Sequence, residues 1–284
     1  MAIDNQKTQI IIEDHVVPQL LTSAIEAYQH GDVTSIGTRL RNKLETYGLL
    51  WGYTLPARAG VPARIVAVTS TVEVSADRQR DSVDPIRASL KQKREFFETY
   101  WPNLELVGTF HSHPYKDLDE IKKNQGWRAS GEDGDLGHWR GIHDEICPEY
   151  SHLAHIIVSV VCLDRKSTKW PERLGGNEAF TGYKLGAGNY RIWVKGYSTE
   201  REELADYIHE DEDGDAKANE GCNDEVEAFD RFGVSEEGYV LDSDGNILSY
   251  SDVEDESGFY VNEDIELHIP SLENRFSEHV NGRI

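Results

Sequence analysis

One segment, residues 104–114, constrains the fold of this chain more than any other. It begins with an apolar, β-favouring run and passes without a break into His111-Ser112-His113-Pro114, which predicts a buried strand that carries the histidines. Because side chains at i and i+2 share a face of a strand, His111 and His113 then point the same way. Pro114 cannot donate a hydrogen bond to a neighbouring strand, so we expect pairing to end there, beside a loop.

Two imidazoles on one face can supply two ligands of a metal site, and the following loop can supply a third. Catalytic zinc typically takes three protein ligands and keeps a further position for water. The loop contains Ser130-Gly131-Glu132-Asp133, and we predict Asp133 as the third ligand. The sequence therefore predicts one zinc ion per chain with a catalytic water.

The bound water needs a base, and the reaction needs a donor for the oxyanion. Glu45 opens the pattern Glu-x-x-Gly-x-Leu-x-Gly, an apolar run that predicts a core strand and would hold the carboxylate rigidly beside the water without ligating the metal. Ser130 would donate a hydrogen bond to the oxyanion that forms when water attacks a carbonyl. The predicted catalytic residues are thus Glu45 and Ser130, and the predicted metal ligands are His111, His113 and Asp133.

This set, an upstream Glu followed by His-x-His-Pro and Ser-x-x-Asp, resembles the motif of the JAMM (MPN+, JAB-domain) zinc metalloproteases over roughly residues 9–197. The resemblance implies an α/β fold of the α+β, cytidine-deaminase-like type, with a central mixed β-sheet flanked by helices. It also implies an isopeptidase or peptidase, similar to prokaryotic deubiquitinases, that hydrolyses the bond after the C-terminal glycine of a ubiquitin-like protein, in deconjugation or precursor processing.

The partners implied are a ubiquitin-like protein or its conjugates and, in an antiviral-defence setting, conjugation enzymes encoded nearby. Two alternatives stay open, a noncatalytic MPN-type scaffold that binds partner proteins and a peptidase for sulfur-carrier precursors. The segment 115–129 between the two motifs is longer than in the family's usual pattern, which predicts an insertion beside the active site. The phasing of the serine favours Asp133 as ligand, with Asp135 as the alternative.

Composition excludes other classes of function. The 284 residues carry a net charge of −23 at pH 7, whereas nonspecific nucleic-acid binding depends on Lys and Arg that neutralise phosphates. The acidic charge would attract a basic tail or serve solubility alone. The sequence shows no signal-peptide pattern and no apolar run of membrane-spanning length, and its three cysteines are widely spaced, so we expect a cytoplasmic protein with no membrane partner.

Apolar patterns predict the remaining elements. Helices are expected near 16–30, 36–44 and 84–100, and strands near 10–12, 45–52, 64–74, 155–161 and 190–194. We expect two regions: a JAMM/MPN metalloprotease domain over 1–198, and an acidic, partly folded accessory region over 199–284, with a hairpin over 239–250.

Further aromatic and histidine residues follow the motif. The histidines at 138, 143, 152 and 155 form no known ligand pattern, so we interpret them as surface or interface residues. Trp127 and Trp139 are expected either to clamp the substrate or to anchor the core.

Overall fold

The computed structural model describes residues 7–33, 40–201, 233–234, 240–241 and 259–273. The helices are α1 (Val17–Gln29), α2 (Arg87–Tyr100), α3 (Leu118–Lys123) and α4 (Asp135–Glu145). The strands are β1 (Thr8–Ile12), β2 (Asp32–Val33), β3 (Leu40–Arg41), β4 (Tyr47–Leu55), β5 (Arg64–Val72), β6 (Asp77–Arg78), β7 (Val83–Asp84), β8 (Glu105–Tyr115), β9 (His152–Cys162), β10 (Lys169–Arg173), β11 (Gly182–Ala187), β12 (Tyr190–Arg201), β13 (Gly233–Val234), β14 (Val240–Leu241), β15 (Phe259–Asn262) and β16 (Ile265–His268).

The main sheet of the described residues has ten strands and mixed direction. Its order is β10-β11-β12-β9-β8-β4-β5-β1-β16, and β15 pairs with β12 beside this path. β8 runs parallel to β9, and β1 runs parallel to both of its neighbours, whereas the other pairs are antiparallel. Because β15 pairs with β12 and β16 pairs with β1, the sheet curls.

The two faces of the sheet bury different parts of the core. Along β4, Leu50 packs in the cluster that includes the buried side of α1. Its neighbours Leu49 and Trp51 point to the other face, where they pack with Leu90 of α2 and Ile142 of α4. Helices therefore cover both faces, and the predicted mixed sheet flanked by helices is confirmed at this level.

The apolar patterns located α1, α2 and six strands of the main sheet, β1, β4, β5, β8, β9 and β12. One predicted helix is wrong in the described residues. Leu40–Arg41 form a short strand paired with Asp32–Val33, where a helix over 36–44 was expected, so that prediction is wrong for its described part. Lys43 then adopts a φ of 58°, in the left-handed region, and its N–H donates to the carbonyl of Tyr28. This turn ties the chain to the end of α1 and is incompatible with a continuing helix.

Residues beyond 199 also contribute to the main sheet. β15 and β16 lie past the boundary predicted at 198, and Ile265 and Leu267 are fully buried in the core. The two-region division itself stays a prediction. Of the predicted hairpin over 239–250, Val240–Leu241 pairs with Gly233–Val234, and 242–250 lies outside the described residues. None of the described helices combines the length and the apolar character needed to cross a membrane.

Candidate metal centre

β8 carries both histidines of the centre, as the sequence predicts. His111 and His113 lie on one face of this strand and point to the side of α4, and His111 is 3% exposed. The strand continues beyond them, however, because Pro114 and Tyr115 still pair with Val160 and Val161 of β9. The prediction that pairing ends at Pro114 is therefore wrong.

Pro114 is tolerated within β8 because backbone N–H groups alternate between the two sides of a strand. The N–H of Ser112 donates to the carbonyl of Thr46, on the side of β4. Two residues later, the nitrogen of Pro114 faces that same side, beyond the start of β4 at Tyr47. No described strand requires a donor there, so proline is tolerated within β8 as it is on an edge strand.

Three side chains converge at the carboxyl end of β8. The Nε2 atoms of His111 and His113 are 2.9 Å apart. Asp135 reaches both, with Oδ1 2.9 Å from Nε2 of His111 and Oδ2 3.4 Å from Nε2 of His113. The three ligand atoms lie within 4.8 Å of one another. Two imidazole nitrogens and a carboxylate oxygen around one point could hold a metal ion.

The third member of this group is Asp135, whereas Asp133 was predicted. Asp133 is exposed and lines the same cavity, but it does not belong to the group of three. A turn closed by the N–H of Gly134 and the carbonyl of Gly131 places Asp133 before α4. Asp135 is the first residue of that helix, so the additional turn shifts the ligand position by two residues.

Ser130 holds Asp135 in place through a reciprocal pair of hydrogen bonds. The N–H of Ser130 donates to Oδ2 of Asp135 at 2.7 Å, and the N–H of Asp135 donates to Oγ of Ser130 at 2.8 Å. A Cβ atom at Gly134 would overlap Oγ of Ser130, so a larger residue there would displace the hydroxyl that accepts from Asp135. Ser130 itself is exposed and lines the cavity.

Glu45 lies in the same cavity, two residues before β4. It is 6% exposed, and its N–H donates to the carbonyl of Gln79 at 2.8 Å. The next residue, Thr46, donates its N–H to Oγ of Ser112 at 2.9 Å, and Ser112 stands between the two histidines. These hydrogen bonds fix the backbone at Glu45 against the strand that carries His111 and His113.

The charges of the group perturb one another strongly. Burial raises the pKa of Asp135, but the charges and hydrogen bonds of His111 and His113 outweigh burial and hold that pKa well below its usual range. Burial lowers the pKa of His113, yet hydrogen bonding and the charges of Asp135 and Glu45 raise it to about 9. Burial raises the pKa of Glu45 to about 8, while the charge of His113 opposes that shift. Strong coupling of this kind is common where titratable groups do chemistry.

A cavity of about 510 Å³ opens over the group. One wall is the turn between β6 and β7, and another includes α3 from the predicted insertion. The two walls meet where Nη2 of Arg80 lies 2.7 Å from Oε1 of Glu120. Besides the residues of the group and Glu45, carboxylates line this cavity at Asp81, Asp84 and Asp133. The insertion is thus part of the site.

Behind the metal group lies a chain of buried hydrogen bonds that the sequence did not reveal. His143 and His155 are fully buried, so their interpretation as surface or interface residues is wrong. Nε2 of each lies close to Oγ1 of Thr199, at 2.7 and 2.8 Å. Nδ1 of His143 faces the carbonyl of Tyr150, and Nδ1 of His155 faces Oγ1 of Thr109 at 2.8 Å.

Of the two roles expected for Trp127 and Trp139, the structure favours packing in the core. Trp139 is fully buried and stacks on His155 with ring centroids 4.5 Å apart. Trp127 is partly buried and stacks on Trp193 at 6.3 Å. His138 lies one turn after Asp135 and lines the cavity, and burial lowers its pKa to about 3. The i, i+3 spacing on α4 places His138 on the same side of the helix as Asp135.

The arrangement can bind a cation and place a proton acceptor beside it. A metal group, a buried carboxylate and a serine hydroxyl share one open cavity, which suits hydrolysis at a polarised carbonyl. In comparisons with known proteins, no protein-family model matches this chain, and no curated protein matches it.

Proposed function

We propose that this protein is a zinc-dependent isopeptidase or peptidase that hydrolyses the bond after the C-terminal glycine of a ubiquitin-like protein, in the cytoplasm and on a fold of the JAMM/MPN type. The observation that carries the proposal is that one cavity contains the whole predicted set, with one replacement. Its members are Glu45, His111, His113, Ser130 and, in place of Asp133, Asp135.

The donor set favours zinc over other ions. Two imidazoles and one carboxylate form a first shell suited to catalytic zinc, which leaves a position for water. Zinc bound there would supply a Lewis acid and a water of lowered pKa. His113 is oriented for this role because its Nδ1 lies 3.2 Å from the carbonyl of Gly126, so that Nδ1 donates and Nε2 faces Asp135.

Glu45 is the general base of this proposal. Burial raises the pKa of its carboxyl group to about 8, near the pH at which a base must both accept and release a proton. A divalent cation at the neighbouring ligands lowers this pKa, because it stabilises the carboxylate form. Glu45 is not within the group of three ligands, which leaves its carboxylate to take the proton.

Ser130 is the oxyanion donor of this proposal. Its Oγ accepts a hydrogen bond from the N–H of Asp135, so the hydroxyl retains its own proton to donate. A developing oxyanion in the cavity would accept that proton in a hydrogen bond, which stabilises the transition state more than the ground state.

The cavity walls favour an extended tail with basic residues. On the side of β4, no described strand pairs with residues 113–115 of β8, and a substrate in extended conformation can add there. Carboxylates at Asp81, Asp84 and Asp133 line the cavity, and they attract basic side chains near the scissile bond. A glycine at the bond permits the backbone to approach the metal closely.

Substitution of Glu45 tests the proposal directly. Glu45→Gln should retain about one zinc per chain and lower turnover about 10²- to 10⁴-fold, because it removes the base without removing a ligand. The assay is cleavage of a panel of ubiquitin-like proteins fused through their terminal glycine to a reporter, with zinc measured by elemental analysis. His113→Ala should lose both zinc and activity.

The matched control is Glu26→Gln, which changes an exposed glutamate of α1 and should leave turnover unchanged. A Glu45→Gln protein as active as wild type would reject the role of Glu45. A wild-type protein that binds zinc and cleaves no member of the panel would reject the proposed activity and favour the scaffold alternative.

A further inference from the structure

The insertion between the two motifs places a backbone carbonyl against the metal group. The carbonyl oxygen of Gly126 lies 3.2 Å from Nδ1 of His113 and accepts a hydrogen bond from Oγ of Ser159 at 2.8 Å. Ser159 of β9 is the register partner of His113, so the two side chains stand next to each other on one face of the sheet. One carbonyl from the insertion therefore meets a metal ligand and its neighbour.

Glycine at position 126 suits this close approach of the insertion to β8. A Cβ atom at position 126 would overlap the ring of Tyr115, which stands on the same face as His113 with ring centroids 6.5 Å apart. The preceding Gln125 has a φ of 48°, a conformation that L-residues rarely adopt and that must be held by surrounding contacts.

The two side chains that follow Gly126 bind Glu178, in the 3-10 turn Gly176–Glu178 between β10 and β11. Nε1 of Trp127 donates to Oε2 of Glu178 at 2.9 Å, and Nε of Arg128 donates to Oε1 at 2.9 Å. The two residues that follow Gly126 are thus fixed by one carboxylate. The ring of Trp127 also stacks on Trp193 of β12.

Glu178 is in turn fixed by a buried lysine. The side chain of Lys195 is 1% exposed, and its Nζ lies 2.7 Å from Oε1 of Glu178 and 3.4 Å from Glu263. Lys195 follows Trp193 by two residues on β12, so the ion pair to Glu178 and the stacking contact to Trp127 come from the same face of that strand. A buried charge of this kind requires its partner, which makes the position of Glu178 well determined.

We infer that Glu178 is a positioning residue for the metal centre: through Trp127 and Arg128 it holds the insertion so that the Gly126 carbonyl orients His113. The inference rests on the proposed function in one respect, the metal ion at the three ligands, and does not depend on the substrate. Partners that orient a ligating histidine typically contribute 10- to 100-fold to metal affinity.

Zinc affinity of the full chain tests this inference, measured by competition with a chelator. Glu178→Gln should weaken zinc binding about 10- to 100-fold, and Trp127→Phe, which keeps the aromatic ring and removes the N–H donor, should weaken it about 10-fold. The control is Glu172→Gln, at a more exposed ion pair with Lys184 on the neighbouring strands, which should bind zinc as wild type does.

A second measurement separates positioning from plain structural support. In spectra of ¹⁵N-histidine-labelled protein, the Nδ1 proton of His113 should exchange with solvent faster in both variants. A merely structural role would lower the melting temperature of the metal-free protein and leave zinc affinity and this exchange unchanged, which overturns the inference. If Glu178→Gln does not fold, Trp127→Phe decides by the same two measurements.

These outcomes are distinct from failure of the proposed function. Wild-type protein that binds zinc but cleaves no fusion rejects the peptidase and leaves the positioning role standing when the variants lose affinity. Wild-type protein that binds no zinc rejects both.

Discussion

At the scale of single residues, Asp133 and Asp135 differ in what their carboxylates contact. Asp135 reaches both histidines and is held by Ser130, whereas Asp133 lies exposed in the turn before α4. The Ser-x-x-Asp spacing predicted a carboxylate from this loop, and in the structure Asp135 rather than Asp133 lies beside the histidines. The spacing of a motif counts residues along the chain and does not show where the helix begins. Here the turn over 131–134 delays the start of α4, so Asp135 instead of Asp133 reaches the histidines.

Substituting each aspartate by asparagine should show which of the two carboxylates binds zinc. Asp135→Asn should weaken zinc binding by more than about 100-fold, beyond the loss typical of residues that only orient a ligand, because it removes an anionic ligand. Asp133→Asn should leave the affinity within about threefold of wild type, since a single exposed charge is screened by solvent. Both affinities can be measured by chelator competition. Equal losses would contradict the assignment of Asp135.

At the scale of elements, β8 brings the histidines to the site, and its packing depends on close contact with β9. Gly108 of β8 is the register partner of Ala154, and a Cβ atom at this glycine would overlap the carbonyl oxygen of Ala154. The obstacle is backbone, which cannot rotate away as a side chain can. Gly108 therefore permits the parallel pair that holds His111 and His113 beside Ser159.

A methyl group at this position should disturb the whole strand. Gly108→Ala should lower the free energy of unfolding by about 1–3 kcal/mol or more, as overpacking does, measured by urea denaturation of the metal-free protein. Gly175→Ala is the matched control, because its Cβ would meet no atom within 4 Å and its φ is −88°. That control should be neutral or slightly stabilising, and a Gly108→Ala protein of wild-type stability would contradict the argument.

At the scale of the whole molecule, the buried hydrogen-bond chain connects elements far apart in sequence. It joins α4, β9 and β12 through His143, His155 and Thr199. The carbonyl of Tyr150 requires a proton on Nδ1 of His143, so Nε2 accepts from Thr199, and Thr199 in turn accepts from His155. Every hydrogen bond of this chain is made with both imidazoles neutral.

Because His143 is buried in its neutral form, the free energy of unfolding should fall as the pH is lowered. Burial lowers the pKa of His143 to about 4, below the value of about 6.5 in an unfolded chain. Above pH 6.5 neither state binds the proton and the full stabilisation is present; as pH falls from 6.5 towards 4, only the unfolded state binds it, so stability falls. The loss from His143 should be about 3 kcal/mol, and burial lowers the pKa of His155 in the same direction.

The measurement is the free energy of unfolding of metal-free protein between pH 7 and 4.5, for wild type and His143→Gln. The free energy of unfolding of the variant should fall less steeply as the pH is lowered. The difference between the two curves isolates His143, because other groups, including Glu45, titrate in both proteins. Parallel curves would contradict the assignment of a neutral His143.

Much of the fold and most of the site were predictable from the sequence. The apolar run into His111 predicted the strand, and the i, i+2 spacing predicted that both imidazoles share a face, because alternation is a local property of β-structure. Glu45 and Ser130 were predicted from residue type and order, and the structure brings them to the same cavity. The peptidase activity itself stays a prediction.

Tertiary structure decided what depends on contacts between distant segments. Asp135 lies beside the histidines in place of Asp133 because of a turn. Pro114 stays within β8 because β4 starts at Tyr47, and no described strand pairs with β8 beyond that point on this side. The role of the insertion follows from Glu178, 52 residues after Gly126, and from a lysine buried on β12. Local patterns determine which face a side chain takes, whereas only packing determines which distant group it meets there.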